Sequence, residues 1–181
     1  MYFNYGYLFY IPINMIYIIS VLVYGIKKKK SISYYIFAVI MEIYLNGMIP
    51  LVYFPIIIES PEIWGDLKNF VDMSLDFSNM GGLYQILGNI LVTIPIGILL
   101  PLMVDFNKRE RWIWVILLSC ALELVQLLII YFAHSINLFF DIKDVFLNAF
   151  GGVIGCILFE VLAKRSRIFF SSKWLRYSQR K

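Results

Sequence analysis

The sequence predicts an all-α, polytopic membrane bundle of about five transmembrane helices, with its N-terminus outside and its C-terminus in the cytoplasm. Three observations predict it. Of 181 residues, 61% are hydrophobic and 15% charged, and the mean hydropathy is +0.77; a soluble domain is about half apolar and about a quarter charged. Five apolar segments each approach the roughly 20 residues that a helix needs to cross a bilayer. Fourteen of the 16 lysines and arginines fall on one side of those segments, the asymmetry that sets orientation. A single membrane domain over residues 1–181 accommodates all of it, with no internal repeat, low-complexity linker or second domain.

The first span, Tyr7–Ile26, lacks a basic run before it and a small-residue cleavage site, and Lys27–Lys30 stop it. It reads as a retained span, not a signal peptide. The second, Ile32–Ile58, holds Pro50 and Pro55, which kink it or end it early because proline removes a helix hydrogen bond. The loop Glu59–Gly82 is acidic, with Glu59, Glu62, Asp66, Asp72 and Asp76 against Lys68. Ser60-Pro61-Glu62 is a helix-start signal, and Ile63, Trp64, Leu67, Phe70, Val71 and Ser74 then share one face. The expectation is a short amphipathic helix at the outer membrane surface; the alternative is a solvated loop packed on the bundle.

The remaining spans are Leu83–Val104, Trp112–Phe132 and Asp144–Ala163. Lys108, Arg109 and Arg111 join Lys27–Lys30 and seven basic residues of the tail on the cytoplasmic side, leaving Lys68 and Lys143 outside. Trp174 and Tyr177 sit among the tail's basic residues and suit anchoring at anionic headgroups, so the basic balance requires no nucleic acid. Cys120 and Cys156 lie in apolar runs and read as packing residues. His134 is a lone histidine at a membrane boundary. Nothing in the sequence requires a cofactor or a metal.

Within the last three spans, polar residues recur at helical spacing. Gln85, Asn89 and Thr93 fall every four residues and share a face. Glu123 and Gln126 are three apart. Asp144, Asn148, Gly151 and Gly155 form one stripe, with Gly151–Gly155 a GxxxG that permits close helix approach. Polar groups in a bilayer are expensive and face a bundle interior or a wet cavity. By depth, these residues, with Asp141 at the helix start and Glu42 and Asn46 on the second span, can converge on one cavity open to the outside. The alternative is a polar cluster that only joins helices, each bond worth about 0.6 kcal/mol.

Gly88-Asn89-Ile90-Leu91, Pro95-x-Gly97, Pro101, Glu123-x-x-Gln126 and Asp141-x-x-Asp144-x-x-x-Asn148-x-x-Gly151-x-x-x-Gly155 together resemble the VanZ-like family over residues 83–163. Tyr53-Phe54-Pro55 is similar to an earlier proline region of that family. The family pattern places an arginine shortly before the Asp-x-x-Asp element; here Leu138 stands at about that position, with Asn137 beside it. The family takes its name from a bacterial protein linked to resistance to the glycopeptide teicoplanin. The resemblance therefore implies a multi-pass protein of the bacterial cytoplasmic membrane, in the cell envelope.

Three function classes follow. The first is binding or handling of a lipid or cell-wall-related ligand in an outward polar cavity, through Asn89, Glu123, Gln126, Asp141, Asp144 and Asn148. Its partners would be membrane lipids, a cell-wall precursor or a glycopeptide-related ligand. The second is a membrane-embedded enzyme acting on a lipid or lipid-linked phosphate, with Glu123 as general base and Asp141 and Asp144 holding Mg²⁺. No HExxH, Cys–His pair or phosphate-cradling loop accompanies them. The third is a carrier, which five spans without a repeat fit poorly.

Overall fold

The computed structural model describes residues 1–76 and 82–165. The basic tail with Trp174 and Tyr177 lies outside the described residues. The elements run β1 (Tyr2–Phe3), α1 (Tyr7–Lys27), α2 (Ile32–Tyr53), β2 (Ile56–Ile57), α3 (Pro61–Trp64), a 3₁₀ turn (Leu67–Phe70), β3 (Val71–Asp72), α4 (Leu83–Met103), α5 (Lys108–Ala133), β4 (Phe140–Asp141) and α6 (Ile142–Arg165). Five of these helices, α1, α2, α4, α5 and α6, are long and apolar enough to cross a membrane, as the sequence predicts. The chain divides into two compact units. One is Met1–Asp72 with Val125–Phe140; the described part of the other is 73–76, 82–124 and 141–165.

In the first unit α1 and α2 form an antiparallel hairpin around the turn that carries Lys29 at φ 47°. Polar groups join them at several levels. Asn14 and Asn46 exchange amide hydrogen bonds in both directions, 2.9 and 2.8 Å, and the Tyr5 hydroxyl donates to Asn46 Oδ1 at 3.1 Å. The Tyr17 hydroxyl donates to the Ala38 carbonyl at 2.7 Å. Asn46 is thus committed to the α1–α2 contact and is not a free group of a ligand cavity, contrary to the sequence expectation. Pro50 is accommodated near the end of α2, and the helix stops at Tyr53, before Pro55. The proline pair does end the second span early.

The predicted amphipathic helix after Ser60 is corrected. Only Pro61–Trp64 is helical, because Gly65 takes φ +76° and ψ −112°, a positive-φ conformation open to glycine that breaks the helical backbone. The Asp66 side chain then accepts from the Lys68 backbone N–H and starts a 3₁₀ turn; the same bond holds the Asp66 carboxyl below its ordinary pKa. The apolar residues still gather on one side, without a helix to align them. Trp64 stacks on Phe70 with centroids 5.5 Å apart, and Phe70, Ile130 and Leu138 form a small core with Trp64 and Leu67 packed against it. The segment is a loop packed on the helices. Trp64 Nε1 fastens it by donating to the Ser135 carbonyl at 3.3 Å, and Asn137 holds the chain just before it, accepting from the Ile57 N–H at 2.9 Å and donating to the Pro55 carbonyl at 2.6 Å. Tyr2 and Phe3 pair with Ile57 and Ile56.

In the second unit α4 and α6 are the most extensively packed pair of helices. They run parallel: Gln85 meets Asp144, Ile94 meets Gly155, and Gly97 meets Cys156. Glycines set the separation. A Cβ on Gly97 would lie 2.9 Å from Gly155 Cα and 2.9 Å from the Cys156 backbone N. The Gly151–Gly155 pair therefore brings backbone against backbone, as the GxxxG spacing predicts. Gly152 faces the other way, onto Val115 of α5. The start of α5 is set by a reciprocal cap: Asn107 accepts from the Glu110 N–H at 2.9 Å and Glu110 accepts from the Asn107 N–H at 2.8 Å. This box places the helix start at Lys108, a turn ahead of the apolar run.

Candidate functional site

The close α4–α6 contact fixes where the polar residues of the second unit meet. Gln85, in the first turn of α4, donates from Nε2 to both oxygens of Asp144, at 3.3 and 3.1 Å. One turn further along α4, the Asn89 amide lies beside Asp144. One turn further along α6, Asn148 donates from Nδ2 to Glu123 Oε1 at 3.1 Å, which brings in α5. Glu123 also lies in the field of Asp144 and Asp141. Thr93 closes the stripe on α4, its hydroxyl returned to the Asn89 and Ile90 carbonyls. Gln85, Asn89, Glu123, Asp144 and Asn148 thus form one cluster on three helices.

Burial makes this cluster unusual. Glu123 and Asn148 are each 3% exposed. Glu123 Oε2, Asn148 Oδ1 and Asn89 Nδ2 are buried and have no hydrogen-bond partner among the described residues. Leaving such an atom unpaired costs about 1–3 kcal/mol, and most buried polar atoms in folded proteins are paired. Three of them in one cluster exceed what joining helices requires. The arrangement can grip a ligand that offers hydrogen-bond donors to two acceptors and an acceptor to one donor.

The other two expected residues behave differently. Asp141 caps α6, accepting from the Lys143 N–H at 2.8 Å, and its Oδ2 pairs with Lys143 Nζ at 3.3 Å. Both of its oxygens are engaged, so its fit as a metal ligand beside Asp144 is poor. Among the described residues no group of three or more His, Cys, Asp or Glu could hold a metal ion. Gln126 is half-buried, on the part of α5 that belongs to the first unit.

Sequence reasoning missed Lys143. Read as a solvent-side cation of the outer loop, it is instead 1% exposed, held by Asp141 and by the Ser74 hydroxyl at 3.4 Å. The available signal was its position between two aspartates at a helix start, which puts a carboxylate partner within reach of its ammonium. Arg111, also read as a loop cation, is buried at the opposite end of the unit. It pairs with Glu160 at 3.0 Å and lies over the Phe159 ring, while Lys108 reaches the same carboxylate at 3.7 Å.

A family model described as VanZ/LLP1 matches residues 7–163. The chain belongs to the VanZ/LLP1 family. The match starts at α1 and so extends well upstream of the 83–163 stretch that carries the motifs. With five helices able to cross a membrane, this member of the family is a multi-pass membrane protein. No curated protein and no solved structure matches the chain. The glycines of the family-like motif, Gly97, Gly151 and Gly155, are those that hold α4 on α6, and its polar positions Asn89, Glu123, Asp144 and Asn148 are those that cluster there. Leu138, at about the position where the resemblance implies an arginine, is buried in the apolar core of the first unit.

Proposed function

We propose that this VanZ/LLP1 protein binds the polar head of a lipid or cell-wall-related molecule at the Asn89–Glu123–Asp144–Asn148 cluster, in the cytoplasmic membrane of a bacterium. The observation that carries the reading is the set of buried, unpartnered atoms on three different helices, Asn89 Nδ2, Glu123 Oε2 and Asn148 Oδ1. A membrane-embedded group with that pattern is recognised by hydrogen bonds, which are strong where water is scarce. The cluster lies towards the ends of α4 and α6 that the basic-residue asymmetry assigns to the outside, which suits a ligand of the outer leaflet. The resemblance of the motifs to the VanZ-like family supports reading the role as one in glycopeptide, and in particular teicoplanin, susceptibility.

The test is Glu123→Gln. The amide keeps the shape and the bond from Asn148 while replacing an acceptor oxygen and removing the charge. It is expected to abolish a teicoplanin-resistance phenotype conferred by the wild-type gene, with membrane expression unchanged on immunoblots. A Glu123→Gln protein that is well expressed and confers full resistance would overturn the assignment of the site. A purely structural carboxylate predicts that neutral outcome, because an amide costs less to bury than a charge.

A further inference from the structure

We propose that the group recognised at this cluster is a primary ammonium carried by a lipid, such as the head group of an aminophospholipid. The inference rests on the binding reading above and adds the chemistry of the ligand. Its first support is the pairing of charges. Three carboxylates, Glu123, Asp141 and Asp144, stand near Lys143, whose ammonium pairs with Asp141 at 3.3 Å and also meets the Ser74 hydroxyl at 3.4 Å. The groups that donate to Asp144 and Glu123 are neutral: Gln85 and the adjacent Asn89 amide at Asp144, Asn148 and the Asp141 backbone N–H at Glu123. A cationic head group is therefore drawn to the site and an anionic one repelled.

The second support is independent of charge. Two of the three unpartnered atoms, Glu123 Oε2 and Asn148 Oδ1, are acceptors on side chains 3% exposed. An ammonium has three N–H donors and no acceptor, so it can serve both and still reach Asp144. A quaternary ammonium has no N–H and is read by aromatic faces; no ring contact involves these residues. The third support identifies a lipid source. Asn89 lies on a helix long and apolar enough to cross a membrane, and the adjoining face of that helix is open: a Cβ on Gly88 would meet nothing within 4 Å. Its neighbours Tyr84 and Leu87 are 95% and 44% exposed on a membrane-spanning helix.

The experiment is lipid retention by the purified full-length protein, read by native mass spectrometry. The protein is equilibrated with equimolar phosphatidylethanolamine, phosphatidylcholine and phosphatidylglycerol. Wild-type protein is expected to retain phosphatidylethanolamine about tenfold over the other two, the size of one charge-assisted hydrogen bond. Glu123→Gln should lower that preference to near unity, and Glu62→Gln, at an exposed position of the first unit, should leave it unchanged. Thermal melts of each variant confirm folding. Glu123-dependent retention of phosphatidylglycerol or phosphatidylcholine at the level of phosphatidylethanolamine overturns the ammonium inference but leaves head-group binding intact. Equal retention of all three lipids by wild type and Glu123→Gln overturns both. Free ethanolamine binding as tightly as the lipid overturns the lipid source alone.

Discussion

Two glycines within α4 and α6 should respond to alanine with opposite signs. Gly88 and Gly155 are both inside long helices, where alanine is favoured over glycine by about 1 kcal/mol on propensity alone. At Gly88 an added Cβ meets nothing within 4 Å, so Gly88→Ala keeps that gain. At Gly155 the added carbon would sit 2.9 Å from Gly97 Cα and closer still to the Ile94 carbonyl oxygen. Carbon atoms rest at about 3.5–4.0 Å, so α4 and α6 must separate by roughly 0.6–1 Å. Both obstructing atoms are backbone, so no side-chain rotation relieves the clash. Overpacking of this kind costs about 1–3 kcal/mol, enough to exceed the propensity gain. The separation also lengthens the Gln85–Asp144 bonds, which span the same two helices at 3.1 and 3.3 Å. Equilibrium unfolding in detergent micelles should therefore rank the proteins Gly88→Ala at or above wild type, and wild type above Gly155→Ala by up to about 2 kcal/mol. Equal stabilities for the two variants would refute the argument that backbone contact, not glycine count, sets this helix pair.

The asymmetry of basic residues predicts that the N-terminus is outside, so a cysteine introduced at Asn4 should react with an impermeant thiol reagent in whole cells; labelling only after lysis reverses the topology. Glu160→Gln leaves the buried Arg111 guanidinium without its 3.0 Å carboxylate and should cost about 3 kcal/mol of unfolding free energy, while Arg111→Met with Glu160→Leu recovers most of it. Asn46→Leu strands the Asn14 amide and should cost about 1–2 kcal/mol. The Asn14→Leu and Asn46→Leu pair should cost less than the sum of the two single changes, measured as a double-mutant cycle.

Much of the fold is legible because hydrophobic length is a strong signal. All five spans appear within a few residues of the predicted bounds, and Pro55 and the helix end at Tyr53 agree. The ends differ where a side chain caps the helix: the Asn107–Glu110 box and Asp141 extend α5 and α6 beyond their apolar runs. The loop after Ser60 defeats the helical reading at one residue, Gly65, whose positive-φ backbone no periodicity reveals. In the site, spacing placed Gln85, Asn89, Asp144 and Asn148 on facing stripes, and Glu123 joins them as expected. Spacing could not tell which polar residues are already used. Asn46 resembles Asn89 in sequence, yet its amide is consumed by Asn14, whereas the Asn89 Nδ2 is unpartnered. Nor could counting charges show that Lys143 and Arg111 point inward, because a lysine or arginine near a span end reads as solvated until its partner is known.

The positions of Leu138 and Lys143 bear on how the site keeps its charge. An arginine at position 138 would enter the apolar core of Phe70 and Ile130, where an unpaired guanidinium costs several kcal/mol. Leucine fits that core and brings no charge. The cation is supplied from α6 itself, by Lys143, two residues after its partner Asp141, so one helix turn carries both the pair and the next carboxylate, Asp144. This local arrangement has a consequence for binding. Because Asp141 is both the cap of α6 and the counter-charge of Lys143, it fixes the helix end and neutralises the lysine with the same two oxygens. The other two carboxylates then meet amide donors, Gln85 at Asp144 and Asn148 at Glu123. Replacing Asp141 would free Lys143 to turn toward them, converting a site suited to a cation into one already occupied by its own lysine.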